Sequence, residues 1–225
     1  MKKKILFVVS SAAHIGPHHR ATGSLLTEVA HPYETFKQQG YDIDIFSVNG
    51  GEAPIDMVDL EDPLNIAFLN DEGLTKMKNT AGINAVSVDS YDAVFVPGGL
   101  APVVDMPDNT TVQKILSSMY DKGAVVSAVC HGPVSLINVK LQDGSYLIDG
   151  KNVTGFSIAE EENYAKEDVP FELEDALKNR NAQYTSAAPW QAHVVTDGRL
   201  VTGQNPASAK GVAESVIAIL EAVEA

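Results

Sequence analysis

Apolar residues along the chain follow two periods, and their alternation predicts the architecture. Ile5-Leu6-Phe7-Val8-Val9 is a continuous apolar run, as in a strand buried on both faces, and predicts a strand over residues 3–10. Residues 11–23 read as loop, punctuated by Gly16, Pro17 and Gly23. Leu25, Leu26, Val29, Ala30, Tyr33 and Phe36 recur at helical spacing, which predicts a helix over residues 24–39 with Gly40 as its C-cap. Residues 41–48 alternate apolar and polar, the pattern of a second strand. A third strand over 91–96 runs into Pro97-Gly98-Gly99, and a helix follows over 109–122. A second buried run begins at Ala124, stops at Cys130, and gives way to a short helix over 133–138.

Beyond it, residues 151–156 and 184–187 have strand character. Glu160-Glu161-Glu162 begin or precede a helix, where carboxylates suit the positive dipole end, and another helix spans 170–180. Asp197-Gly198, set between alternating apolar residues of 193–202, predicts a type I′ hairpin. Asn205-Pro206 reads as an N-cap and first helical position. The last helix is expected to reach Val223, with Val212, Val216, Ile219 and Leu220 on one face.

Strands alternating with helices predict an α/β fold: a doubly wound, mostly parallel, flavodoxin-like sheet with helices on both faces, plus a C-terminal β-hairpin. Residues 1–225 read as one domain. Residues 49–88 show only a short helix near 71–78 and are expected to be an irregular insertion or cap.

Composition narrows the function. A net charge of −14 excludes general affinity for nucleic acid or anionic membranes, both of which need a Lys/Arg surplus. A single cysteine permits no internal disulfide and no Cys-rich metal site, so a cytoplasmic setting is expected. The basic start Lys2-Lys3-Lys4 mimics a signal peptide, but the apolar run after it is too short for one. No run approaches membrane-spanning length.

The cysteine sits where the chemistry would be. Cys130 closes a strand, with small residues two places away on each side, Ala128 and Gly132. That is the steric requirement of a nucleophile elbow, here with a thiol in place of the usual hydroxyl. The plain alternative is a buried structural cysteine. At a helix N-terminus the thiol's pKa would fall. The backbone N–H of His131, with a second donor from Pro97-Gly98-Gly99, could face an oxyanion. The His131 side chain is either a base or a residue turned outward at the elbow. His14, His18 and His19 share one loop; no cysteine or carboxylate joins them nearby, so a solvated loop is expected rather than a metal site. His18 is the one expected to touch substrate. His31 reads as helix packing or surface, and His193 and Trp190 as structural residues.

Val129-Cys130-His131-Gly132-Pro133 resembles the nucleophile motif of the ThiJ/PfpI superfamily. Thr22-Gly23 with Glu28-Val29-Ala30-His31-Pro32-Tyr33 resembles that family's first helix. The stretch from Tyr91 to Gly99 resembles its second signature, and Thr154-Gly155-Phe156 with Glu160-Glu161 the segment that carries a third catalytic acid. Asp197 to Ser208 resembles its C-terminal signature. The chain is most similar to the branch of glutathione-independent glyoxalases (glyoxalase III) and heat-inducible chaperones. The resemblance implies a class I glutamine amidotransferase-like fold and four roles. Cys130 is the nucleophile, Glu28 the helix-borne carboxyl beside it, and His131 the adjacent histidine. Glu161, chosen over Glu160 and Glu162 by counting from Thr154, orients that histidine. It implies conversion of methylglyoxal or another 2-oxoaldehyde to a 2-hydroxy acid, D-lactate for methylglyoxal, with Gly98, Gly99 and His18 around the substrate. No metal or other cofactor is implied, and a homodimer is.

On the residues alone, Glu28 lies beside the apolar stripe and a surface glutamate is the favoured reading; turned inward, burial would keep it protonated. Three further activities fit the same elbow, a protein deglycase, a cysteine amidase or peptidase and a redox sensor, and a holding chaperone, binding unfolded chains through an exposed apolar patch, is a fourth alternative. Amidotransferases of related fold place histidine far from cysteine in sequence, unlike His131.

Overall fold

The continuous apolar runs form the centre of a seven-stranded sheet. The computed structural model describes residues 2–222. Its sheet strands are β1 (Lys4–Val9), β2 (Asp42–Ser47), β3 (Ala81–Gly82), β4 (Ala93–Val96), β5 (Val125–Val129), β6 (Val194–Asp197) and β7 (Leu200–Gly203). Their order is β6-β7-β5-β4-β1-β2-β3. All neighbours are parallel except the β6–β7 hairpin. Every residue of β4, β5 and β7 is buried, whereas β2, nearer the edge, alternates. This is the doubly wound sheet expected from the sequence.

Helix α1 (Leu26–Gln38) follows β1 and presents Leu26, Val29, Ala30, Tyr33 and Phe36 to the core. Phe7 of β1 meets Tyr33, Phe36 and Phe95 through ring contacts at 6.3, 6.1 and 4.9 Å. Burying each such ring contributes about 2–3 kcal/mol. Gly40, at φ +81°, ends α1 as expected: its N–H bonds Lys37 and that of Tyr41 bonds Phe36, so the last carbonyls are satisfied.

Residues 49–88 are more regular than expected. Among them are α2 (Pro63–Leu69), α3 (Glu72–Lys78) and the edge strand β3. Asp62 caps α2 by accepting from the N–H groups of Leu64 and Asn65, and Asp71 opens α3. α3 is the short helix expected near 71–78, whereas α2 is too short for its periodicity to stand out and only its cap betrays it; Asp62-Pro63 is the same kind of signal as Asn205-Pro206. His31 pairs with Asp62 at 2.8 Å and so fastens this segment to α1.

Four other expectations shift. The hairpin turns at Gly198-Arg199, because Asp197 still pairs with Leu200. Only Gly198 has positive φ there, which is the II′ pattern rather than I′. The strand over 151–156 shrinks to Asn152–Val153, which pairs with Gln183–Tyr184 outside the main sheet. The chain then turns away, Thr154 N–H donating to Thr202 Oγ1 and Phe156 N–H to the Cys130 carbonyl. After Cys130 comes a 3₁₀ turn, Gly132–Leu136, instead of an α-helix. Asn205 caps nothing with its side chain: Pro206–Ser208 is a 3₁₀ turn, and the last α-helix spans Ala209–Ala222, with Val212, Val216 and Leu220 buried. Val223 lies outside the described residues. Among the described residues, no helix is long and apolar enough to cross a membrane.

Three further helices are Ala101–Asp105 (α4), Thr110–Asp121 (α5) and Ile158–Glu161 (α6), the last of which carries Glu160 and Glu161. Leu173–Lys178 (α7) lies within the expected 170–180 span.

Candidate active site

Cys130 closes β5 with φ +60°, a left-handed conformation that a side-chain-bearing residue rarely adopts. Strain of this kind, about 1–3 kcal/mol, is what an elbow needs to lift one side chain off the sheet. The elbow is held on both sides. Cys130 N–H donates to the Gly203 carbonyl of β7, and its own carbonyl accepts from Phe156. Gly132 leaves no room for a methyl group against the Val96 carbonyl. The neighbouring strand can therefore approach only because residue 132 is glycine.

Glu28 and Cys130 meet inside the protein. Glu28 is fully buried, not on the surface. Gly98 N–H donates to its Oε2 at 2.6 Å, and a hydrogen bond joins it to the cysteine. Burial pushes the carboxyl up to about 8, against the pull of those two hydrogen bonds. Burial likewise pushes the Cys130 thiol well up, and the negative charge of Glu28 adds to the rise; the N–H groups of Gly99 and His131 oppose it. The thiol pKa is thus raised, not lowered as expected from sequence. No α-helix begins at this elbow, and Cys130, Glu28 and His131 are all buried. Glu28 ionises before Cys130, so at neutral pH the pair carries a thiol and a neutral carboxyl.

On the other side of the sulfur, Cys130 Sγ lies 3.5 Å from His131 Nδ1. His131 Nε2 lies 2.6 Å from Glu161 Oε2, and both side chains are buried. With Nε2–H donating to Glu161, the lone pair of Nδ1 faces the sulfur. A thiol, a base and an orienting carboxylate in line are the parts of an activated nucleophile.

The chain matches the DJ-1/PfpI family over residues 21–219. It belongs to that family. The glutathione-independent glyoxalase HSP31 of Saccharomyces cerevisiae is 33% identical over 228 residues, covering 94% of this chain and 95% of the yeast protein. The crystal structure of glyoxalase III from Candida albicans superposes with a TM-score of 0.87 at 33% identity, covering 96% of this chain and 97% of the other. The 24 kDa rapid encystment protein of Francisella tularensis superposes at 0.93 with 39% identity, covering 97% and 99%.

Within this DJ-1/PfpI site the two glycines divide their work. Gly98 N–H is spent on Glu28, so Gly99 and His131 are the N–H groups left to face the sulfur and whatever adds to it. A methyl group at Gly98 would collide with Glu28 Oε2 and come within 2.8 Å of Cys130 Cβ.

The three glutamates of 160–162 point three ways. Glu161 meets His131, Glu160 is buried in a separate hydrogen-bonded knot, and Glu162 is exposed and pairs with Lys166. An aromatic wall covers His131: Phe156 lies 4.4 Å from its ring, and Tyr164 and Trp190 pack on Phe156 at 5.6 and 5.5 Å.

His18 is exposed in the turn between His14–Ile15 and Arg20–Ala21. His14 and His19 instead line a cavity of about 420 Å³ with Val103, Val104 and Val169, and Cys130 is not in its walls. Among the described residues, no group of three His, Cys, Asp or Glu could hold a metal. His193 bonds Thr185.

Sequence reading missed the burial of Glu160, while Trp190 is the packed aromatic expected, against Phe156 and Tyr164. A signal for Glu160 was present: Ser157-Ile158-Ala159-Glu160 is a capping box, which the structure forms, and it puts Glu160 in the first helical turn facing back into the protein.

Proposed function

We propose that this DJ-1/PfpI protein is a glutathione-independent glyoxalase, converting methylglyoxal or a similar 2-oxoaldehyde and water to a 2-hydroxy acid. The observation that carries this is a lone thiol set between two groups able to carry protons, the buried Glu28 carboxyl and the His131–Glu161 pair. Acyl-transfer hydrolysis needs one base beside the nucleophile; here one group can carry hydrogen between the two carbons while the other moves the oxygen and sulfur protons.

The steps balance on those residues. Cys130 sulfur adds to the aldehyde carbon, its proton passing to His131 Nδ1. The carbonyl oxygen takes the Glu28 proton, giving a hemithioacetal. Glu28, now ionised, removes hydrogen from that carbon while His131 protonates the neighbouring ketone oxygen, giving an enediol. Glu28 returns the proton to the second carbon and His131 takes the hydroxyl proton from the first, leaving a thioester. Water adds to the thioester, giving a proton to Glu28, and sulfur leaves with the proton of His131. All three groups are back in their starting states. The N–H groups of Gly99 and His131 steady the oxyanions.

The reading needs no glutathione, metal or other cofactor, and it includes a cytoplasmic homodimer, which sedimentation tests. Purified metal-free protein given methylglyoxal without any thiol is expected to release lactate; none, or undiminished lactate from Cys130→Ala, would overturn the proposal.

A holding-chaperone activity is a second reading. It is favoured by Met57, Val58 and Leu60, which stand together and more than half exposed. Suppression of heat aggregation should persist in Cys130→Ala and weaken in Leu60→Ser.

A further inference from the structure

Glu160 is buried, carries a carboxylate, and makes no contact with Cys130 or His131. Yet five donors converge on it. Oε1 accepts from Trp190 N–H at 2.8 Å and Asn205 Nδ2 at 2.9 Å. Oε2 accepts from Ser157 N–H at 3.1 Å, Ser157 Oγ at 2.7 Å and Gln204 Nε2 at 3.0 Å. A buried carboxylate is costly unless its lone pairs are filled, and here all of them are. These hydrogen bonds outweigh burial and hold its pKa below the ordinary carboxylate range.

The donors come from three segments that border the site. Ser157 starts the turn bearing Glu161. Gln204 and Asn205 follow β7, whose Gly203 carbonyl holds the Cys130 N–H. Trp190 sits at φ +66°, another left-handed residue, and its ring packs against Phe156 and Tyr164. Phe156 in turn lies on His131.

We infer that Glu160 is a positioning residue: it sets Glu161 in register with His131 and holds Trp190 against Phe156, the ring that lies on His131. Glu161 is the next residue in the same turn, so a shift of Glu160 moves the orienting carboxyl directly. A displacement of about 1 Å in such a group lowers turnover by up to about 100-fold. Trp190 has no other hydrogen-bonded hold on its backbone N–H, and its left-handed conformation needs one. The inference rests on the Cys130–His131–Glu161 reading, and its test is chosen to be independent of glyoxalase turnover.

Trp190 is the single tryptophan of the chain, so its fluorescence reports the clasp without labelling. Glu160→Gln keeps the shape of the side chain but cannot accept from all five donors. Two readouts on the folded variant are expected to move together. Acrylamide quenching of Trp190 rises. Alkylation of Cys130 by iodoacetamide at neutral pH slows by about tenfold, with its pH profile displaced toward that of Glu161→Gln, because the base is no longer aligned. Ser157→Ala removes a single side-chain donor and is expected to move both readouts in the same directions but less, which covers the case in which Glu160→Gln does not fold. Quenching equal to wild type, or alkylation as fast as wild type or faster, overturns the inference whatever the lactate assay gives. A residue with only a structural role would lower the melting temperature and leave both native-state readouts in place.

Discussion

Glu161 Oε2 lies 2.6 Å from His131 Nε2, and the two side chains are almost wholly shielded from solvent. A contact of that kind fixes which ring nitrogen carries hydrogen, and here it leaves Nδ1 free to face sulfur. Glu161→Gln keeps the size but offers an amide that can donate as well as accept, so the ring can settle in the wrong tautomer. Turnover should fall on the order of 100-fold with little change in KM. Steady-state kinetics check this; a raised KM at constant kcat would show that Glu161 binds substrate instead.

Glu28 links activity to pH. Its carboxyl must hold a proton at the start of the cycle, and it loses that proton near pH 8. Activity is therefore expected to decline as pH rises through about 8. Glu28→Gln should lack the decline and should lose on the order of 100-fold or more at its best pH, since the amide cannot cycle a proton.

The same group links stability to pH. The folded-state pKa of Glu28 is raised to about 8 from 4.5, so between those values the folded protein keeps a proton that the unfolded chain has lost. Stability contributed at this site therefore falls as pH rises across that window, by at most about 5 kcal/mol. Glu28→Gln should melt above wild type by a margin that grows from pH 5 to pH 8. Thermal melts at several pH values measure it; a constant margin would place the carboxyl in water.

The strained elbow predicts an exchange of stability for function. Cys130→Gly and Cys130→Ala both remove the thiol, but only glycine relieves φ +60°. Cys130→Gly should exceed Cys130→Ala in stability by about 1 kcal/mol, and both should be inactive. Denaturant titration compares them. At the adjoining strand end, Gly98→Ala puts a methyl group into Glu28 and against Cys130, and should lose activity and about 1–3 kcal/mol of stability.

The parts of this protein that depend on long apolar runs were legible in the sequence. β1, α1 and β5 carry enough consecutive or periodic burial to reveal themselves, and so does the elbow at Cys130 with its flanking small residues. α3 was legible as a short helix near 71–78, but α2, also seven residues long, was not, and its Asp62 cap was the surviving sign. Glu28 and Glu160 show a different limit. Whether a glutamate faces water or a buried thiol depends on which segment packs over it, and Gly98, Trp190 and Asn205 come from far along the chain. The raised thiol pKa was unreadable for the same reason: it follows from burial by several elements and from the charge of Glu28, whereas the sequence showed only a strand meeting a turn.

Covalent chemistry at Cys130 is the claim on which the rest depends, and intact-protein mass spectrometry after rapid acid quench tests it most directly. Wild type mixed with methylglyoxal in the absence of other thiols should gain the mass of one substrate molecule at Cys130, since hemithioacetal and thioester have equal mass. The adduct should accumulate in Glu28→Gln, where the hydrogen cannot move, and be missing from Cys130→Ala. Lactate produced at full rate with no adduct on Cys130 in any variant would contradict a cysteine-borne intermediate.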